Sequence, residues 1–77
     1  MGMPDTEKPA SRAAERLVAH YGGRKQTAEA LGVTRETVRL WLSGGIPLER
    51  AVEVEQVCRG VITAEQILFE ARERAAA

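Results

Sequence analysis

Apolar residues recur along this chain at helical rather than alternating intervals. Residues 1–9 hold two prolines and no periodic apolar pattern, which predicts a loose tail. Ser11 then stands where it can cap a helix reaching about residue 21, with Ala14, Leu17, Val18 and Tyr21 on its apolar side. Gly22-Gly23 supplies the backbone freedom that stops it. A second, short helix is predicted over residues 24–31, with Ala28 and Leu31 inward and Glu29 outward, ended by Gly32. Thr34 follows as the N-cap of a third helix, from residue 35 to about residue 42, and Val33 and Val38 occupy the two positions that form a hydrophobic staple. That helix turns Val38 and Trp41 inward and leaves Arg35, Glu36 and Arg39 outside.

Ser43-Gly44-Gly45 closes the third helix. Ile46-Pro47 opens a fourth, because proline is well tolerated at the first helical position. The predicted span is 47 to about 58, burying mainly Leu48, Ala51 and Val52 with a selection from Val54, Val57 and Cys58. Beyond Arg59-Gly60-Val61, Thr63 can cap a fifth helix, Gln66 can return the bond from N3, and Ile62 can staple against Ile67. This helix carries Ile67, Leu68 and Ala71 and is expected to fade into RERAAA, which bounds the domain at residues 10–72 and leaves 73–77 frayed. The fold class is therefore all-α, with five helices. Because VEVEQV alternates for six residues, a short strand or irregular segment there or near 60–63 is the alternative in the last third.

At 77 residues and 44% apolar content the chain makes one small domain. Such a domain buries only roughly 60 to 65% of its extended surface, so its core needs every helix and gains from a partner chain. The single cysteine, Cys58, has no internal disulfide partner, which suits a reducing, cytoplasmic setting. Apolar runs fall short of the roughly 18 to 20 residues of a membrane span, and the opening MGMPDTEKPA lacks the apolar core of a signal peptide. Neither membrane insertion nor export is expected. Formal net charge is zero, but residues 24–45 carry Arg24, Lys25, Arg35 and Arg39 against only Glu29 and Glu36, whereas residues 46–77 hold six acidic groups against four basic. Cations gather on the second and third helices, a modest sign of an anionic partner there.

Two helices joined by a tight turn can pack at a steep angle, the first crossing a duplex backbone and the second lying in the major groove. Ala28 is small where the axes approach, Gly32 allows the turn, and Leu31, Val33, Val38 and Trp41 anchor the pair to the body. A compact helical hairpin with a structural or protein-binding role shares these features and is the alternative at this level. If the third helix enters a groove, its outward residues read bases. Arg35 can bond both acceptors of a guanine edge, and Glu36 either accepts from a cytosine amine or serves as a first-turn acidic residue. Thr37 can touch a thymine methyl or a phosphate, or be solvated. Arg39 is a second reader or a phosphate clamp, and Leu40 meets a thymine methyl, packs under the fourth helix or stays partly exposed. Arg24 and Lys25 stand at the start of the second helix, where unpaired amides favour a phosphate. Thr34, Ser43 and Arg50 are lower-ranked backbone contacts, Arg50 having Glu49 and Glu53 as competing partners.

The run from Arg24 to Trp41 resembles the helix-turn-helix of phage Cro and repressor proteins, and the longer stretch is similar to small Cro-like (YdaS-like) regulators of phages and prophages. The likeness rests on Ala30-Leu31-Gly32-Val33, Val38 and Trp41, Gly44-Gly45, Pro47-x-Glu49-Arg50, Val54-Glu55 and Gly60-Val61-Ile62-Thr63, and covers roughly residues 12–68. It implies a lambda-repressor-like domain and a dimeric transcriptional repressor on a short, near-palindromic DNA operator, docked in the manner established for Cro itself. Arg24 is then a backbone contact, while Arg35, Glu36, Thr37, Arg39 and Leu40 face bases. Relatives commonly carry serine then glutamine where this chain has Thr34-Arg35, so the cap carries over and the operator sequence does not. Thr27 replaces a frequent aliphatic residue, which predicts weaker packing against the first helix.

A two-fold dimer matches half-sites one turn apart, and Ile62, Ile67, Leu68 and Phe69 are more apolar material than a short terminal helix requires, so this segment is the expected self-association surface. The rival reading is an antitoxin-like regulator, or a protein-interaction module, whose last helix docks on another protein. Enzymatic chemistry has little basis. His20 lacks histidine or cysteine partners at metal-ligand spacing, Cys58 falls in an apolar helical pattern, and neither glycine pair has the context of a phosphate loop. No metal and no cofactor are expected.

Overall fold

The structure is a computed structural model that describes residues 9–76. Five helices make up the described residues: α1 (Arg12–Tyr21), α2 (Arg24–Leu31), α3 (Arg35–Gly44), α4 (Ala51–Val57) and α5 (Ala64–Ala76), with a 3₁₀ turn at Leu48–Arg50 ahead of α4. No strand occurs among them, so VEVEQV is helical and the segment 60–63 is a turn. Helix α1 packs against α2, α3 and α5, α2 packs on α3, and α4 on α5.

Local signals start and stop most of these helices. The Ser11 hydroxyl accepts the Ala14 amide at 3.1 Å, and Gly22, at φ 91°, ends α1. Thr63 Oγ1 accepts the Gln66 amide at 3.1 Å while Gln66 Oε1 accepts the Thr63 amide at 3.0 Å, a complete capping box for α5. The Glu55 carboxylate of α4 takes the Ala64 amide at 2.7 Å, placing a negative charge at the positive end of α5. Leu17, Val38, Trp41, Val54, Cys58, Ile62 and Ile67 are buried between the helices. Cys58 packs there as expected, its sulfur accepting the Ile62 amide at 3.3 Å across the α4–α5 turn.

The structure departs from the sequence expectations at several points. Pro47 is not the first residue of a helix: at ψ 142° it is extended, its carbonyl accepts the Arg50 amide at 3.0 Å, and α4 proper begins at Ala51. The buried stripe is then Ala51, Val54 and Cys58; Val52 lies about 100° round the helix from Ala51 and is 61% exposed, and Leu48, in the 3₁₀ turn, is 51% exposed. Thr27, which stands where an aliphatic residue is frequent, is fully buried, with its hydroxyl donating to the Gly23 carbonyl at 2.7 Å. Helix α3 runs on to Gly44, beyond residue 42.

The C-terminal segment does not fade at residue 72 either. Helix α5 continues to Ala76, tied down by charged side chains. Glu70 accepts the Ala13 amide at 2.9 Å and the Ser11 hydroxyl, Glu73 pairs with Arg12 at 3.1 Å, and Arg74 donates to the Pro9 and Ser43 carbonyls, each at 2.8 Å. Pro9, expected in the tail, is thus held to the body; residues 1–8 of that tail lie outside the described residues.

Candidate nucleic-acid interface

The α2–α3 pair is built around one left-handed residue. Gly32 adopts φ 69°, ψ 31°, and the Val33 amide returns to the Ala28 carbonyl at 3.0 Å, so the chain reverses within the residues 32–34. Ala28 and Leu31 below the turn and Val38 and Trp41 beyond it are buried, while Val33 is half-buried. Thr34 is extended, and its Oγ1 accepts the Thr37 amide at 3.0 Å. The buried face of α3 therefore starts at its second turn, leaving the first turn projecting.

On that projecting face Arg35, Glu36, Arg39 and Leu40 are exposed and Thr37 is half-buried. Glu36 and Arg39 form a two-pronged ion pair, with Arg39 Nε on Glu36 Oε1 at 3.0 Å and Nη2 on Oε2 at 2.5 Å. Hydrogen bonds from Arg39 hold the Glu36 carboxyl below its usual range, against a smaller opposing effect of desolvation, and the same pair raises Arg39. The Thr37 hydroxyl lies 2.9 Å from that of Thr34. Leu40, whose placement the sequence leaves open, is 52% exposed and does not pack under α4. Arg35 is exposed at the tip of α3, whereas Arg39 must leave or share Glu36 to reach a base.

Arg24 and Lys25 are exposed at the start of α2, where Gly23 offers no side-chain cap and the first turn holds no acidic residue. A positive helix end with two cations suits a phosphate oxygen. Ser43 is exposed in the last turn of α3 with its hydroxyl on the Leu40 carbonyl at 3.2 Å, and Arg50 pairs with Glu53 at 3.3 Å.

A family model matches residues 13–73, and its description is "DNA-binding transcriptional regulator Cro". The chain belongs to this family. Comparison with curated proteins and with solved structures returned no match. This Cro-family member is accordingly a DNA-binding transcriptional regulator, and its all-α helix-turn-helix fold agrees with that. No helix among the described residues is long and apolar enough to cross a membrane.

The segment expected to mediate self-association divides in two. Ile62, in the turn ahead of α5, and Ile67, on α5, are 0% and 2% exposed and belong to the core of a single chain with Ala13, Ala14 and Leu17 of α1 and Ala51 and Val54 of α4, so they offer no surface to a partner. Leu68 and Phe69, 37% and 61% exposed, face outward. Residue-by-residue patterning also misses the side chains that hold the Cro helix-turn-helix from outside it. Arg74 reaches the end of α3 from 31 positions away, and Glu70 reaches Ser11 from 59 positions away. No local motif marks such pairs; the nearest signal in the sequence is the run of mixed charges Glu70, Arg72, Glu73 and Arg74.

Proposed function

We propose that this Cro-family regulator is a repressor that binds a near-palindromic operator as a dimer, inserting the first two turns of α3 into the major groove. The observation that carries the reading is the outward, cation-bearing N-terminal face of α3, mounted on a helix whose opposite face is buried through Val38 and Trp41. Arg35, Glu36, Thr37, Arg39 and Leu40 are the base-facing set, with Arg35 the principal reader. Arg24, Lys25, Thr34, Ser43 and Arg50 are assigned to the phosphate backbone, Arg50 at the cost of its pair with Glu53. The second copy docks on the exposed side of α5 at Leu68 and Phe69, setting two recognition helices roughly 34 Å apart. The protein acts by binding in the cytoplasm, without a catalytic step, metal or cofactor.

Selection of bound sequences from a randomised duplex pool tests this reading. The intact protein is expected to recover one compact, near-symmetric site. With Arg35→Ala, preference at one position of each half-site disappears, at a cost of about 1 to 3 kcal/mol, whereas Arg24→Ala weakens all sequences alike and lowers the salt slope by about one. Recovery of no preferred sequence by the intact protein, or an unchanged preference in Arg35→Ala, refutes it.

A further inference from the structure

The far end of α3 is fastened by groups that belong to neither helix of the motif. A helix leaves its last carbonyls without intrahelical partners, and its C-terminal end carries partial negative charge. Here the Trp41 carbonyl accepts the Gly45 amide at 2.8 Å, the Leu42 carbonyl accepts the Ser11 amide at 2.8 Å, and the Ser43 carbonyl accepts Arg74 Nη2 at 2.8 Å. Arg74 also donates through Nη1 to the Pro9 carbonyl at 2.8 Å. Its stem runs beside Gly45, where an added Cβ would stand 3.7 Å from Arg74 Cδ and Nε, so the guanidinium lies over the turn that ends the helix. A planar fork of donors can hold two carbonyls from different segments at once, which an ammonium does less well. Both Pro9 and Arg74 lie outside the span matched to the family model.

We infer that Arg74 is a positioning residue for DNA recognition: it clamps the C-terminal turn of α3 to α5 and to the segment before α1, and thereby sets the angle at which α3 meets the groove. The inference rests on the proposal that α3 is the reading helix. Six residues, or about 9 Å of helix, separate Trp41 from Arg35. A tilt of only about 6° about the buried Trp41 therefore moves the tip by roughly 1 Å, enough to spoil hydrogen bonds that must close to about 3 Å. Because the clamp originates on α5, whatever docks on α5 also bears on how α3 is held.

The test measures binding of the full chain, and of Arg35→Ala, Arg74→Ala and Arg74→Lys variants, to the duplex recovered by selection, over a range of salt and well below the melting temperature of each. Amide chemical shifts of α3 are recorded alongside. Arg74→Ala is expected to fold, to shift amides along α3 as far as its first turn, and to lose about five- to tenfold in affinity with an unchanged salt slope, while Arg74→Lys recovers part of the loss. A salt slope reduced by about one would make Arg74 a phosphate contact and overturn the inference. So would parent affinity in Arg74→Ala when Arg35→Ala has lost binding, or a Lys variant no better than Ala. If Arg35→Ala itself binds as the parent does, the assignment of α3 as reader fails, and the inference fails with it.

Discussion

Replacing Glu70 by alanine removes an N-terminal cap that α5 lends to α1. One carboxylate oxygen takes the Ala13 amide at 2.9 Å and the other takes the Ser11 hydroxyl, and Ser11 is itself fully buried. Hydrogen bonds to a charged acceptor contribute about 1.5 to 3 kcal/mol each, but these two share one partly exposed carboxylate, so their joint loss is set at about 2 to 3 kcal/mol. A chain of 77 residues has a total stability of about 4 to 12 kcal/mol, so this is a large fraction. The melting temperature should fall by about 8 to 24 °C. Urea unfolding followed by circular dichroism gives the free energy directly. Glu70→Gln, which keeps acceptor capacity but loses the charge facing the helix end, should cost about 1 kcal/mol. Glu29→Ala, on the exposed side of α2, should stay within about 0.5 kcal/mol of the parent. A Glu70→Ala protein as stable as Glu29→Ala would refute the idea that this carboxylate docks α5 onto α1.

Glu36→Gln should raise affinity for arbitrary duplex several-fold at low salt, because it releases Arg39 and removes a negative charge from the face proposed to enter the groove between the phosphate strands; titration of a non-operator duplex by fluorescence anisotropy checks this. Since Arg39 lowers the Glu36 pKa in the folded state, the pair's support for α3 is present above the ordinary carboxylate range and disappears as pH falls through the lowered value. The stability gap between parent and Glu36→Gln, from thermal melts across acidic pH, should narrow accordingly. Gly32→Ala should cost about 1 to 2 kcal/mol in denaturant unfolding through its left-handed backbone alone, since an added Cβ there meets nothing within 4 Å.

Most of the helix-turn-helix is legible in the sequence, since its determinants are local: Gly32 for the reversal, Thr34 for the cap, and Val38 and Trp41 at helical spacing for the buried face. The capping box of Thr63 and Gln66 is likewise written within four residues. Legibility fails where a distant group decides. A proline before a helix can be its first residue or, as with Pro47, stand ahead of a 3₁₀ turn, and the choice shifts which apolar residues are covered. Ile62 and Ile67 look like surplus until α1 and α4 are seen to enclose them. RERAAA has no apolar stripe to suggest order; Glu73 orders it by pairing with Arg12, and Arg74 by donating to the carbonyls of Pro9 and Ser43. Of the proposed base-facing set, sequence places all five residues on α3, but the engagement of Arg39 with Glu36 appears only in three dimensions.

Entry of the first two turns of α3 into the DNA is what distinguishes a reading helix from a merely exposed one. Amide and side-chain chemical shifts of the labelled protein, followed as the selected duplex is added, address it most directly. The largest changes are expected at Arg35, Glu36, Thr37, Arg39 and Leu40, with smaller ones at Arg24 and Lys25. Perturbations confined to α4 and α5, with α3 unmoved at saturation, would contradict it.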